Sequence, residues 1–304
     1  MSLKYQTGVR FNHHLGPQET LSFMGEGVGA ALFAIAFFTG QWLFAVPGIL
    51  FVVGAVVALL GHLGNPQRAW RAVTRVGTSW VSRGTLFIGV FVGIATLAVA
   101  AGYLGMTALQ GPLAFAALVV AVPVMAYAGM LLRSIRAIRL WRGPFVPLAF
   151  VAHSLASALT LAWALMPVLA GSDAAPWLQP AAMVSLVASA LVSLLHLLRA
   201  ERSAGVQASF ERLFRGDLRS SFIVGGVVCG IVIPLVAMAV LAALAGGGAV
   251  TALMLAVALC RLYGDFAYRN GVVLAGAYEP VMPDWPMRSF TPPGAAPACG
   301  TAGH

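Results

Sequence analysis

Eight apolar runs, each about twenty residues long, recur along the chain at 21–39, 43–61, 84–104, 113–132, 145–169, 181–198, 222–244 and 249–270. A helix rises ~1.5 Å per residue, so a run of this length crosses the ~30 Å hydrocarbon layer of a bilayer. Few folds accommodate such a repeat. Charged residues make up only 9% of the 304 residues, against ~25% in soluble domains. The residue-by-residue alternation of a membrane β-barrel is absent. The sequence therefore predicts an all-α integral membrane protein with eight transmembrane helices.

The basic residues order those helices. Lys4 and Arg10 precede span one. Arg68, Arg71, Arg75 and Arg83 fall between spans two and three. Arg133, Arg136, Arg139 and Arg142 fall between four and five. Arg199, Arg202, Arg212, Arg215 and Arg219 fall between six and seven. Arg261 and Arg269 lie in span eight, and Arg288 follows it, which completes the 18 lysines and arginines of the chain. The intervening connectors hold a single charge, Asp173. By the positive-inside rule the arginine connectors and both termini are expected in the cytoplasm, with the protein in a bacterial inner membrane. The net charge of +9 thus speaks of topology, and no nucleic-acid partner is expected. The polar opening residues lack the pattern of a signal peptide. The expected organisation is a cytoplasmic segment over 1–20, an eight-helix domain over 21–278 and a Pro- and Gly-rich cytoplasmic tail over 279–304, disordered or laid over a partner. The connector 199–221 reads as an amphipathic surface helix, and Gly246–Gly248 as a tight turn.

Against this apolar background the stretch 61–83 stands out. It holds His62, a Gly64-Asn65-Pro66 turn, Trp70, Trp80 and four arginines. Ionisable groups inside spans are costly and face the bundle interior. Here they are Glu26, His62, His153, His196, Arg261, Asp265 and Arg269, all in the leaflet next to the arginine connectors. Arg261, Asp265 and Arg269 step by four, so they share a helix face and Asp265 can pair with either arginine. Gly25, Gly27 and Gly29 of span one suit close helix packing. Pro123, Pro147, Pro167 and Pro234 suggest kinks.

Histidine, carboxylates and arginines clustered in one leaflet suit a quinone, which needs hydrogen-bond donors at its oxygens and proton carriers beside them. A haem held by two of His62, His153 and His196 is the competing use of these histidines. The three cysteines, Cys229, Cys260 and Cys299, form no CxxC motif for an iron–sulfur cluster or zinc. A transporter is the other functional class, but its site would sit near the bilayer midplane, whereas here one leaflet is empty of charge.

The run His62-Leu-Gly-Asn-Pro-Gln-Arg68-Ala-Trp70, followed by Arg75-Val-Gly-Thr-Ser-Trp-Val-Ser82, resembles the HLGxPxRA and RVGxSxxS signature of the dimethyl sulfoxide reductase membrane-anchor (DmsC-like) family, within the wider NrfD and polysulfide-reductase-type anchors. Gly264-Asp265-x-x-x-Arg269 is similar to that family's Gly-Glu-x-x-x-Arg. The resemblance implies a quinone-reactive anchor without haem or iron–sulfur cluster of its own. It would exchange electrons between menaquinone or ubiquinone and a four-cluster ferredoxin-like iron–sulfur subunit, itself bound to a catalytic subunit with a molybdenum bis-pterin. It also makes His62 the quinone-site residue. The expected site comprises His62, Glu26, Arg68, Trp70, Arg75 and Asp265, with Glu26, His62 and Asp265 carrying protons. Arg71, Arg83, Arg136 and Arg139 are expected to face the iron–sulfur partner. The family pattern places a glutamate just after its second block, where this chain reads Arg83-Gly84. The implied direction is towards quinone from a cytoplasmic substrate such as sulfite or an acyl-coenzyme A thioester of the phenylacetyl-CoA kind.

Overall fold

The computed structural model describes residues 9–62, 71, 74–169, 175–241 and 248–279. The expected tail beyond 279, the turn at Gly246–Gly248 before its last residue, and the motif residues Arg68 and Trp70 lie outside the described residues, as does the side chain of His62. Helix α1 spans Pro17–Thr39, α2 Ala45–His62, α3 Trp80–Tyr103, α4 Thr107–Ser134, α5 Phe145–Leu169 and α6 Leu178–Leu198. The short α7 covers Ala204–Phe214. A π-helical segment, Ser221–Val232, runs into α8, Ile233–Leu241, and α9 covers Gly248–Leu274. Taking the π segment and α8 as one span, eight helical spans among the described residues have the length and hydropathy to cross a membrane. Several start earlier than the apolar runs do, because polar residues cap them. Pro17 opens α1 while the Glu19 carboxylate accepts from the Gly16 N–H at 2.8 Å, and Ser79 Oγ accepts from the Ser82 N–H at the head of α3. Gly40, at φ 70°, closes α1 in the left-handed conformation that favours glycine.

The helix order follows from which faces are apolar. Every residue of α1 from Ser22 to Ala36 is buried, so α1 is the axis of the bundle, packed on α2, α4, α5 and α9. Large side chains on the outer helices, such as Val57, Leu97, Val119, Val184 and Leu198, are exposed, as lipid-facing positions must be. Small residues set the close approaches, since helices in lipid associate by packing more than by the hydrophobic effect. A Cβ on Gly29 would meet the Gly48 carbonyl of α2, and one on Gly264 of α9 would meet the Gly230 backbone of the π segment. Pro234 sits where the π segment passes into α8.

Strand β1, Arg10–Phe11, pairs antiparallel with β2, Ala277–Tyr278, joining the chain ahead of α1 to the chain after α9. Both ends of the bundle are therefore on one face, as eight crossings require. The α4–α5 connector reaches the same place: Ile138 bridges to Tyr278, the Trp141 indole donates to the Val272 carbonyl at 2.9 Å, and Arg139 lies 3.9 Å from the Glu279 carboxylate. Helix α7 lies there too, its Ser203 N-cap bonded to Glu279 and its Arg212 donating to the Leu274 carbonyl at 2.7 Å. It buries Val206, Ser209 and Leu213 and exposes the opposite side, the amphipathic surface helix expected from sequence. Arg212 also grips Asp217 at 2.9 Å and holds its carboxyl below the ordinary carboxylate range. The chain ahead of α1, the α4–α5 connector, helix α7 and the chain after α9 thus share one face.

Substituting Gly264→Val forces α9 from the π segment, at a cost of about 1–3 kcal/mol, typical of overpacking. Gly54→Val, where a Cβ meets nothing within 4 Å, leaves the melting temperature in detergent unchanged. Equal melting of the two variants would show that the α9 contact does not set the packing.

Candidate functional site

Two polar features occupy the interior on the arginine-rich side. The first is an ionic core. Asp265 and Arg269, one turn apart on α9 and both fully buried, pair at 2.6 Å. The Asp265 carboxylate also accepts from Ser157 Oγ of α5 at 2.9 Å. Arg269 donates to the Phe150 carbonyl at 3.0 Å and to Ser154 Oγ at 2.9 Å, and its guanidinium covers the Phe150 ring at 4.6 Å. Arg261 turns away from Asp265. It donates to the Gly230 carbonyl at 2.7 Å and the His153 carbonyl at 3.1 Å, and lies 3.2 Å from His153 Nδ1. The sequence spacing allowed Asp265 either arginine; Arg269 takes it, and backbone carbonyls take Arg261. His153 completes the core, with Nε2 2.9 Å from Ser193 Oγ and its ring stacked on Tyr268 at 4.1 Å. Both of its nitrogens are therefore engaged. His196 stands apart, with Nε2 3.0 Å from the Leu140 carbonyl.

The second feature is a cavity of about 370 Å³ between α1, α2, α3 and α4. Val53, Val57 and Leu60 of α2 and Ile88 and Val92 of α3 form its walls. Val57 and Val81 are exposed, so the cavity meets the outer surface of the bundle between α2 and α3. Its polar side chains are Glu26, Thr85 and Tyr127. The Thr85 hydroxyl donates its proton to the Val81 carbonyl at 2.9 Å and can only accept from a ligand, which leaves Glu26 and Tyr127 as the side chains able to donate or exchange a proton. Glu26 is 1% exposed and its Oε2 has no hydrogen-bond partner. A buried carboxylate oxygen without a partner is costly, and such groups mark functional sites. Tyr127 is held by Phe23, edge-on at 6.4 Å, and by Gly84, where a Cβ would run into the phenol ring.

Adjacent residues of α1 separate the two features. Side chains one residue apart on a helix point ~100° apart. Gly27 faces the ionic core, where a Cβ would strike Ser154 and lie 3.8 Å from Arg269 Nη2, while Glu26 lines the cavity.

The expected site residues are thus distributed. Glu26 lines the cavity. His62 ends α2, two residues beyond the cavity-lining Leu60. Asp265 belongs to the ionic core and is not part of the cavity wall. Arg71, Arg75 and Arg136 are exposed. Arg83 folds back, donating to the Val76 carbonyl at 2.9 Å and the Gly77 carbonyl at 2.6 Å, with its guanidinium over Trp80. Arg139 pairs with Glu201 at 3.3 Å. Sequence reasoning missed Tyr127, although a phenol within an otherwise apolar span was a visible signal. It also missed Ser154, Ser157 and Ser193, because serine is common in membrane helices and gives no signal of its partner. Among the described residues no group of three or more His, Cys, Asp and Glu side chains is placed to hold a metal ion.

Breaking the core and breaking a surface pair should differ sharply. Asp265→Ala leaves Arg269 buried without its partner, which costs about 3–5 kcal/mol. Glu201→Ala, at an exposed pair, costs at most about 1 kcal/mol. Thermal unfolding in detergent measures both, and comparable losses would mean the core is not the stabilising element.

Residues 21–280 match the family model described as polysulphide reductase, NrfD. The match covers most of the chain, which therefore belongs to the NrfD family. Its members are membrane subunits of oxidoreductase complexes, generally quinone-reactive, and are typically associated with iron–sulfur and molybdopterin subunits. No curated protein matches the chain.

Proposed function

We propose that this NrfD-family chain is the membrane anchor and quinone-reactive subunit of a molybdopterin oxidoreductase of the DmsC-like kind, and that the cavity between α2 and α3 is its quinone site. The observation that carries the reading is Glu26, whose buried Oε2 has no hydrogen-bond partner, beside Tyr127 in an apolar cavity that reaches the lipid-facing surface. About 370 Å³ lies within the ~300–1,000 Å³ of small-molecule sites, and apolar walls with a few placed polar groups are what such sites share. A quinone takes up two electrons and two protons on reduction and returns them on oxidation. The residues of the chain supply the proton half. The Tyr127 hydroxyl donates a hydrogen bond to a ring oxygen, and Glu26 exchanges a proton with it. His62, the last residue of α2, is assigned as proton carrier and second quinone ligand on the strength of its HLG motif. Arg68, Trp70 and Arg75 are assigned to the same site by the motif they share with the DmsC-like anchors. Asp265 acts from the ionic core, fixing the Arg269 charge near Glu26, rather than by touching the quinone.

The arginine-rich face is the docking side for the iron–sulfur subunit, with Arg71 and Arg136 pointing outward. Arg83 and Arg139 shape that face from within, through their carbonyl and carboxylate partners. By the positive-inside rule this face and both termini are cytoplasmic. Electrons then run from a cytoplasmic substrate, sulfite or an acyl-coenzyme A thioester, to menaquinone or ubiquinone.

Glu26→Gln keeps the shape of the site and removes its proton exchange. In the assembled complex, quinone-coupled electron transfer falls on the order of a hundredfold, the usual weight of a positioned acid–base group. Gly89→Leu projects into the cavity from a position where a Cβ meets nothing within 4 Å. It raises KM for quinone several-fold while the complex still assembles. Wild-type quinone kinetics in both assembled variants would exclude this cavity as the quinone site.

A further inference from the structure

A second pocket lies away from the proposed quinone site, between the α4–α5 connector and the end of α6. Its volume is about 270 Å³, and it is lined by Arg139, Arg142, Phe145, His196, Arg199 and Glu201 among others. We propose that it binds the head group of an anionic glycerophospholipid, with the phosphate on Arg142 and Arg199 and a head-group hydroxyl on His196.

Charge selects an anion. Three guanidinium groups face one carboxylate, and that carboxylate, Glu201, is taken by Arg139 at 3.3 Å. Arg142 spends its Nε on the Arg136 carbonyl at 2.9 Å, and no other hydrogen bond holds its guanidinium among the described residues. Arg199 is exposed, and its side chain has no hydrogen-bond partner among the described residues. Arginine forks of this kind match phosphate oxygens.

His196 adds the second requirement. It is 3% exposed and lies in the last turn of α6. Its Nε2 is 3.0 Å from the Leu140 carbonyl. A carbonyl only accepts, so Nε2 carries the proton and Nδ1 is left as an acceptor. Nδ1 is buried and has no partner. A hydroxyl donor is what it lacks, and a glycerol head group carries one next to its phosphate.

Depth selects a lipid. Leu198 is 69% exposed, and Arg199 follows it directly, so the pocket lies where α6 leaves the hydrocarbon layer. Below it, Leu194 and Leu195 of α6 and Leu148 of α5 expose apolar surface for acyl chains. Basic pockets between helices at this level suit anionic head groups.

Native mass spectrometry of the full chain in detergent, titrated with defined lipids, tests the assignment. Dioleoylphosphatidylglycerol should bind at least tenfold tighter than dioleoylphosphatidylcholine. Dioleoylphosphatidylmethanol, with the same charge and no hydroxyl, should bind several-fold more weakly than the glycerol lipid. Arg142→Gln with Arg199→Gln should abolish the preference for the anionic lipid; should that pair fail to fold, the exposed Arg199→Gln alone should reduce it. Equal binding of the anionic and zwitterionic lipids, or a preference untouched by the arginine variants, would overturn the site. Binding of inorganic phosphate without retention of lipid would overturn the lipid as its source. Equal binding of the glycerol and methanol lipids would overturn the role of His196.

Discussion

The bundle depends on one buried ion pair. Asp265 and Arg269 are fully enclosed, in a medium where a lone charge costs several kcal/mol. They persist because α5 contributes three partners, Ser157, Ser154 and the Phe150 carbonyl, which leave only Nη1 of Arg269 without one. The pair therefore fixes α9 against α5. Arg269 also comes close to α1, and the lack of a side chain at Gly27 is what permits it. Once α1 is held there, its next-door residue Glu26 can only point into the space between α2, α3 and α4. The position of the proposed proton-exchanging group is thus a consequence of the ionic core, although the two do not share a cavity.

Much of this was legible in the sequence, and for physical reasons. Eight apolar runs and a one-sided arginine distribution leave little freedom in the architecture. The structure adds the β1–β2 pairing that places both ends of the bundle on one face. The step of four from Asp265 to Arg269 announced an ion pair, because helix geometry is local. The choice between Arg269 and Arg261 was not legible, because it turns on a distant carbonyl. Arg261 reaches Gly230 because the π-helical Ser221–Val232 segment comes within backbone contact of Gly264, on the same helix as Arg261. Tyr127 escaped notice for a similar reason. Its importance comes from Gly84 on another helix, whose missing side chain makes room for the phenol ring beside Glu26. That glycine stands where the resemblance leads one to expect a carboxylate nearby, so a phenol from α4 and a carboxylate from α1 occupy the region instead.

The arginines also divide in a way that composition conceals. The positive-inside rule counts them alike. In the structure Arg83, Arg139, Arg212, Arg261 and Arg269 are bound to carbonyls or carboxylates of the chain itself. They close turns, anchor α7 and hold the core. Arg136 and Arg199 project from the same face. A guanidinium already satisfied within the chain has little left for a partner, whereas one held only by its stem retains its full set of donors. On the readings proposed above, recognition of a docking protein or a lipid head group draws on the second set. Sequence position does not sort the two, since Arg136 and Arg139 are three residues apart in one connector and belong to different sets. What sorts them is whether an acceptor lies within reach, and for Arg139 that acceptor, Glu201, comes from the far end of the next pair of helices.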